Sequence, residues 1–140
     1  MHTPHILARE QIGLFALAGS AIFTVVNRRT GNRFTYHVEK SDRHPTLYFV
    51  SILTGPENTS DYAYLGIIRD GRYWHGKKSQ ISAEAQSNQA FAWVWEHLER
   101  LPACIEVWHE GRCGRCNRTL TVPESIASGY GPECRQLLGL

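Results

Sequence analysis

Apolar and polar positions change period along the chain, and the period separates it into three stretches. Ile6 to Ala18 predicts a short helix ending at Gly19. From there to Trp74 the pattern is that of strands. Ala21–Val26 is rich in β-branched and aromatic residues, and Phe34–Glu39 alternates cleanly with Phe34, Tyr36 and Val38 on one face. Leu47–Leu53 is apolar on both parities, which fits a central strand covered on both sides. Tyr62–Ile68 follows a surface loop that begins at Gly55-Pro56-Glu57-Asn58, and Asp70-Gly71 is a hairpin turn into Arg72-Tyr73-Trp74. These five strands read as an antiparallel meander. Helical spacing takes over at Ser87, with Phe91, Val94, Trp95, Leu98 and Leu101 making one broad apolar face. That helix is expected to run to about Arg100, and Pro102 stops it. Cys104–Trp108 alternates again as a sixth strand.

Beyond residue 109 large apolar residues thin out and cysteines take their place. His109, Cys113, Cys116 and Cys134 form the pattern H-x3-C-x2-C-x17-C. Two cysteines two residues apart can grip one ion from a tight turn, and a distant pair closes a tetrahedron, so the pattern predicts structural zinc. Asn117 suits the left-handed conformation such a turn tends to need. Pro132 fits the first position of a helix that places Cys134 in its first turn. Cys104 is the alternative fourth ligand, favoured less than His109 because it lies nine residues before Cys113 on a strand. Thr119–Val122 reads as a short strand and Pro123–Ala127 as a helical turn. The fold class expected is α+β: a meander of five to six strands packed with one long helix, plus a small zinc-ribbon or treble-clef-like module. The division is 1–108 for the sheet-plus-helix body and 109–140 for the zinc module, docked on it because no flexible linker separates them.

The chain has 140 residues, 42% of them hydrophobic, and its mean hydropathy is −0.33, all ordinary for a globular protein. The longest apolar-leaning stretch, 12–26, is interrupted by glycine and polar residues and is too short to span a bilayer. No signal peptide is read at the N-terminus, so a reducing cytoplasm is expected, where clustered cysteines mean metal more often than disulfide. Net charge is only +2, but it is unevenly spread. Basic residues dominate 28–43 (Arg28, Arg29, Arg33, Lys40, Arg43) and 69–78 (Arg69, Arg72, Lys77, Lys78), whereas 84–110 holds five glutamates, Glu96 and Glu99 among them, against Arg100. Gly71 to Ser79 nearly spells a phosphate loop, but its hydroxyl comes one position late and bulky residues stand where backbone N–H groups should cradle phosphate. As a basic-aromatic strand and loop, Arg69, Arg72, Trp74, Lys77 and Lys78 suit a contact surface better.

The C-terminal residues Cys113-Gly114-Arg115-Cys116, Leu120–Ile126 and Gly129-Tyr130-Gly131-Pro132-Glu133-Cys134 resemble a small cysteine domain recurrent in phage and mobile-element proteins of unknown function. The resemblance implies a phage or prophage origin, hence the cytoplasm of a bacterial host, and no chemistry. No nucleophile, base and acid stand at catalytic spacing, so the protein is expected to be non-enzymatic. Two function classes follow. One is an inhibitor of a host protein or nucleoprotein defence complex, anti-CRISPR-like, in which the acidic Glu84–Glu110 segment, Glu96 and Glu99 included, mimics phosphate. The other is a nucleic-acid-binding accessory protein using segments 28–43 and 69–78 as its positive face. Small size and modest charge tilt the sequence reading to the first.

Overall fold

A computed structural model describes residues 5–57 and 60–140. Asn58 and Thr59 of the expected surface loop lie outside the described residues. Each alternating stretch forms a strand: β1 (Ser20–Asn27), β2 (Arg33–Lys40), β3 (Leu47–Leu53), β4 (Tyr62–Arg69), β5 (Arg72–His75) and β6 (Ile105–His109). They make one six-stranded sheet in the order β5-β4-β3-β2-β1-β6, every neighbouring pair antiparallel. The meander explains the first five, since each hairpin turn places the next strand beside the last. The turn into β5 holds Asp70 and Gly71 at φ of 51° and 81°, the left-handed pair that matches strand twist.

One face of the sheet is the core. Ala21, Phe23 and Val25 of β1 stand opposite Val38, Tyr36 and Phe34 of β2, and α2 (Gln86–Glu96) lies across them. Phe91 of α2 meets the Tyr36 ring edge-on at 4.9 Å and the Tyr73 ring at 4.8 Å. Burying a side chain of that size contributes about 2–3 kcal/mol. Two tyrosine hydroxyls carried into this layer are satisfied by the helix: Tyr36 donates to the Ser87 carbonyl at 2.7 Å and Tyr73 to Asn88 Oδ1 at 2.6 Å. The short α1 (Ile12–Ala16) covers the same face farther along, where Tyr48 donates to the Leu17 carbonyl at 3.0 Å.

Three expectations are corrected. The long helix is not long: α2 stops at Glu96, and a 3-10 turn over Leu98–Arg100 replaces its last turn. Pro102 disfavours helical geometry at Leu101, which is extended at ψ 133°, and His97 has already left the helix at ψ 25°. The N-terminal helix covers only Ile12–Ala16, preceded by a 3-10 turn at Arg9–Gln11. The strand expected at 119–122 is a single bridge between Thr119 and Arg112. Beyond it, α3 (Pro123–Ser128) and α4 (Pro132–Leu137) each begin on proline, whose fixed φ suits a first helical position. No helix among the described residues is long and apolar enough to cross a membrane.

Candidate metal centre and open sheet face

Residues 111–120 double back on themselves, with Leu120 N–H donating to the Gly111 carbonyl and Cys113 N–H to the Arg118 carbonyl, both at 2.8 Å. At the tip, Asn117 N–H donates to the Cys113 carbonyl at 2.8 Å, and Asn117 itself is left-handed at φ 66°, as the sequence predicted. This turn presents Cys113 and Cys116 together. The third residue of α4 brings Cys134 to them, and the three sulfurs lie within 4.8 Å of one another. Around a tetrahedral zinc, Zn–S bonds of about 2.3 Å put sulfurs about 3.8 Å apart, so small movements close the set on an ion. Cys113 and Cys134 are buried and Cys116 is exposed.

Burial of Cys113 opposes ionisation. Backbone N–H groups of Gly131, Cys116 and Arg115, with the Cys134 thiol, outweigh it and hold its pKa below the ordinary thiol value. Cys134 is pushed up by burial, against a hydrogen bond from Arg115 Nη1 at 3.5 Å. A site with one thiolate already favoured and a cation beside another is suited to a soft divalent metal.

The other two predicted ligands do not join this group. His109 is 1% exposed at the end of β6, with Nε2 2.6 Å from the Ile126 carbonyl and Nδ1 accepting from Gly111 N–H at 3.0 Å. That pairing places the ring proton on Nε2 and occupies the lone pair of Nδ1. The imidazole thus bridges β6 to α3, stacked on His5 at 4.7 Å and tilted against Phe15 at 6.0 Å. Cys104 stands at the opposite end of β6 from His109, a strand length of about 16 Å away.

Phe15 of α1 packs into the base of the metal loop. A Cβ at Gly114 would fall 2.6 Å from its ring, and one at Gly129 2.9 Å, so both positions are held to glycine by contact. Ser20 N–H donates to the Gly114 carbonyl at 3.0 Å. Cys113, Leu120, Tyr130 and Cys134 accordingly share one continuous apolar core with the sheet.

The predicted surface residues are divided by the meander. Arg28, Arg29 and Arg33 lie at the β1–β2 turn, and Lys77 and Lys78 follow β5 beside the middle of β4, where Gly76 N–H donates to the Leu65 carbonyl. Arg69 and Arg72 flank the β4–β5 turn at the other end. Arg28 is committed to Glu106 through an ion pair at 2.9 Å. Glu96 lines a cleft with Arg72 and Trp74, and Glu99 is exposed on the 3-10 turn that follows.

Sequence reasoning missed the company that Trp74 keeps. Register places Phe49 of β3, Ile67 of β4 and Trp74 of β5 in one cross-strand row on the face opposite α2, with Arg69 and Arg72 in the adjoining row. Tyr64, paired with Ser51, lies on that face too. Trp74 is 56% exposed, Phe49 43% and Tyr64 36%. The apolar run of β3 predicts cover on both sides, yet Phe49 within it is exposed. The both-parity pattern was the available signal, and it reports apolar faces without saying what covers them.

Residues 108–139 match the model of a family of unknown function (DUF6011). The match takes in the cysteine loop and both C-terminal helices and leaves out nearly all of the sheet. Comparison with curated proteins and with solved structures found no match.

Proposed function

We propose that the protein is a non-enzymatic binding protein that takes single-stranded nucleic acid on the open face of its sheet. In this reading a structural zinc ion, held by Cys113, Cys116 and Cys134 in a treble-clef-like unit, braces the edge beside β1 and β6. The observation that carries it is the cross-strand row of exposed Phe49, half-buried Ile67 and exposed Trp74, with Arg69 and Arg72 alongside. Rings spread over neighbouring strands stack unpaired bases, and guanidinium groups beside them take the phosphates. A duplex hides its base faces from such a surface, so the reading is specific to single strands. Zinc is the metal of choice because thiolate sets select it over harder divalent ions.

The sequence alone leans towards an inhibitor of a host protein, with Glu96 and Glu99 as phosphate mimics. The sheet face favours nucleic acid instead, since large aromatic exposure on a flat surface marks a place of contact, and Glu96 shares its cleft with Arg72. Anisotropy of a short labelled single-stranded oligonucleotide separates the two. Arg69→Glu with Arg72→Glu is expected to abolish binding, and Trp74→Ala to cost about 1–3 kcal/mol, the worth of one stacked base. Glu96→Lys with Glu99→Lys should not weaken binding. Negligible binding by the unaltered protein even at low salt would discard this reading in favour of a protein partner.

A further inference from the structure

The three sulfurs of the metal centre face different surroundings. Cys113 is fully buried, its sulfur turned onto backbone N–H groups of Gly131, Cys116 and Arg115. Cys116 and Cys134 instead help to line a groove of about 410 Å³, together with Arg115, Arg118, Val122 and Glu133. A metal bound to all three has protein behind it and the groove in front. Among the described residues no histidine, aspartate, glutamate or further cysteine joins the set, and both nitrogens of His109 are engaged by Gly111 and Ile126.

Charge selects the kind of donor that fits the remaining vertex. Three thiolates and one divalent ion sum to −1, and the Arg115 guanidinium on Cys134 brings the immediate site to neutrality. Arg118 and Glu133 on the groove wall offset one another. A fourth anion would restore an uncompensated charge, whereas a neutral nitrogen or oxygen donor leaves the balance intact.

Resting on the metal reading above, we propose that the fourth coordination position opens into this groove and takes a neutral external donor: water in the free protein, exchangeable for an imidazole nitrogen. The site is then a receptor for an imidazole group as well as a brace for the cysteine loop.

The test uses the full chain loaded with less than one equivalent of cobalt(II), whose visible bands report its coordination. Added imidazole should shift the d–d bands in a saturable way while thiolate-to-cobalt charge transfer persists, and azide at the same concentrations should not. His109→Asn, which keeps a polar group between Gly111 and Ile126, and His5→Ala should each reproduce the unaltered spectrum before imidazole is added and the same shift after it. A spectrum indifferent to imidazole, or altered by either histidine substitution, overturns the open position and leaves the metal reading standing. Absence of any charge-transfer band overturns both.

Discussion

Replacing Cys113 or Cys134 by serine exchanges a soft thiolate for a hydroxyl that binds zinc poorly. Either variant, purified and dialysed, should lose the metal, while Cys104→Ser, a strand length away, should retain one equivalent by elemental analysis. His37 makes a second residue-scale prediction. Burial lowers its pKa, against the opposing pull of Glu39 at 3.8 Å, and Ser20 Oγ and the Tyr62 ring complete its surroundings. With the folded value below the unfolded one, the unfolded chain holds the proton more tightly. This contribution to stability is present above about pH 6.5 and is lost as pH falls below it towards the folded pKa. The melting temperature of the metal-loaded protein should therefore drop on acidification, and the drop should be smaller in His37→Gln.

Between elements, the informative contact is Phe15, a single ring from a five-residue helix that packs on Gly114, Gly129 and Tyr130. Phe15→Ala should destabilise the protein by about 3–5 kcal/mol in urea titration, because the glycines around it leave nothing to refill the space. What the sequence revealed at this scale follows from how local each cause is. The meander was legible because strand period and the Asp70-Gly71 turn are written within a few residues. The cysteine loop was legible for the same reason, in Cys113, Cys116 and Asn117. The end of α2 was not, since Leu98 and Leu101 keep helical spacing while Pro102 removes the conformation. Nor were the surroundings of His109, since the Ile126 carbonyl that engages its ring comes from a helix seventeen residues on.

Across the whole molecule, the antiparallel order decides which charges act together. Segments 28–43 and 69–78 look like one positive surface along the chain, yet the meander sends Arg29 and Arg33 to one end of the sheet and Arg69 and Arg72 to the other. The helices all pack on the core face or beside the metal loop, which leaves Phe49, Tyr64 and Trp74 as the broad aromatic surface of the opposite face. A single strand laid there crosses β3, β4 and β5, spaced about 4.8 Å apart, so it spans both the aromatic row and the arginine row beside it. The most direct measurement is the amide chemical-shift footprint of a short single-stranded oligonucleotide on the full-length, zinc-loaded protein. The account predicts shifts concentrated in β3, β4 and β5, with the Trp74 indole among the largest and Phe49 and Tyr64 moved with it. A footprint centred on Glu99 that leaves β3 and β4 unmoved, or none at low salt, would contradict it.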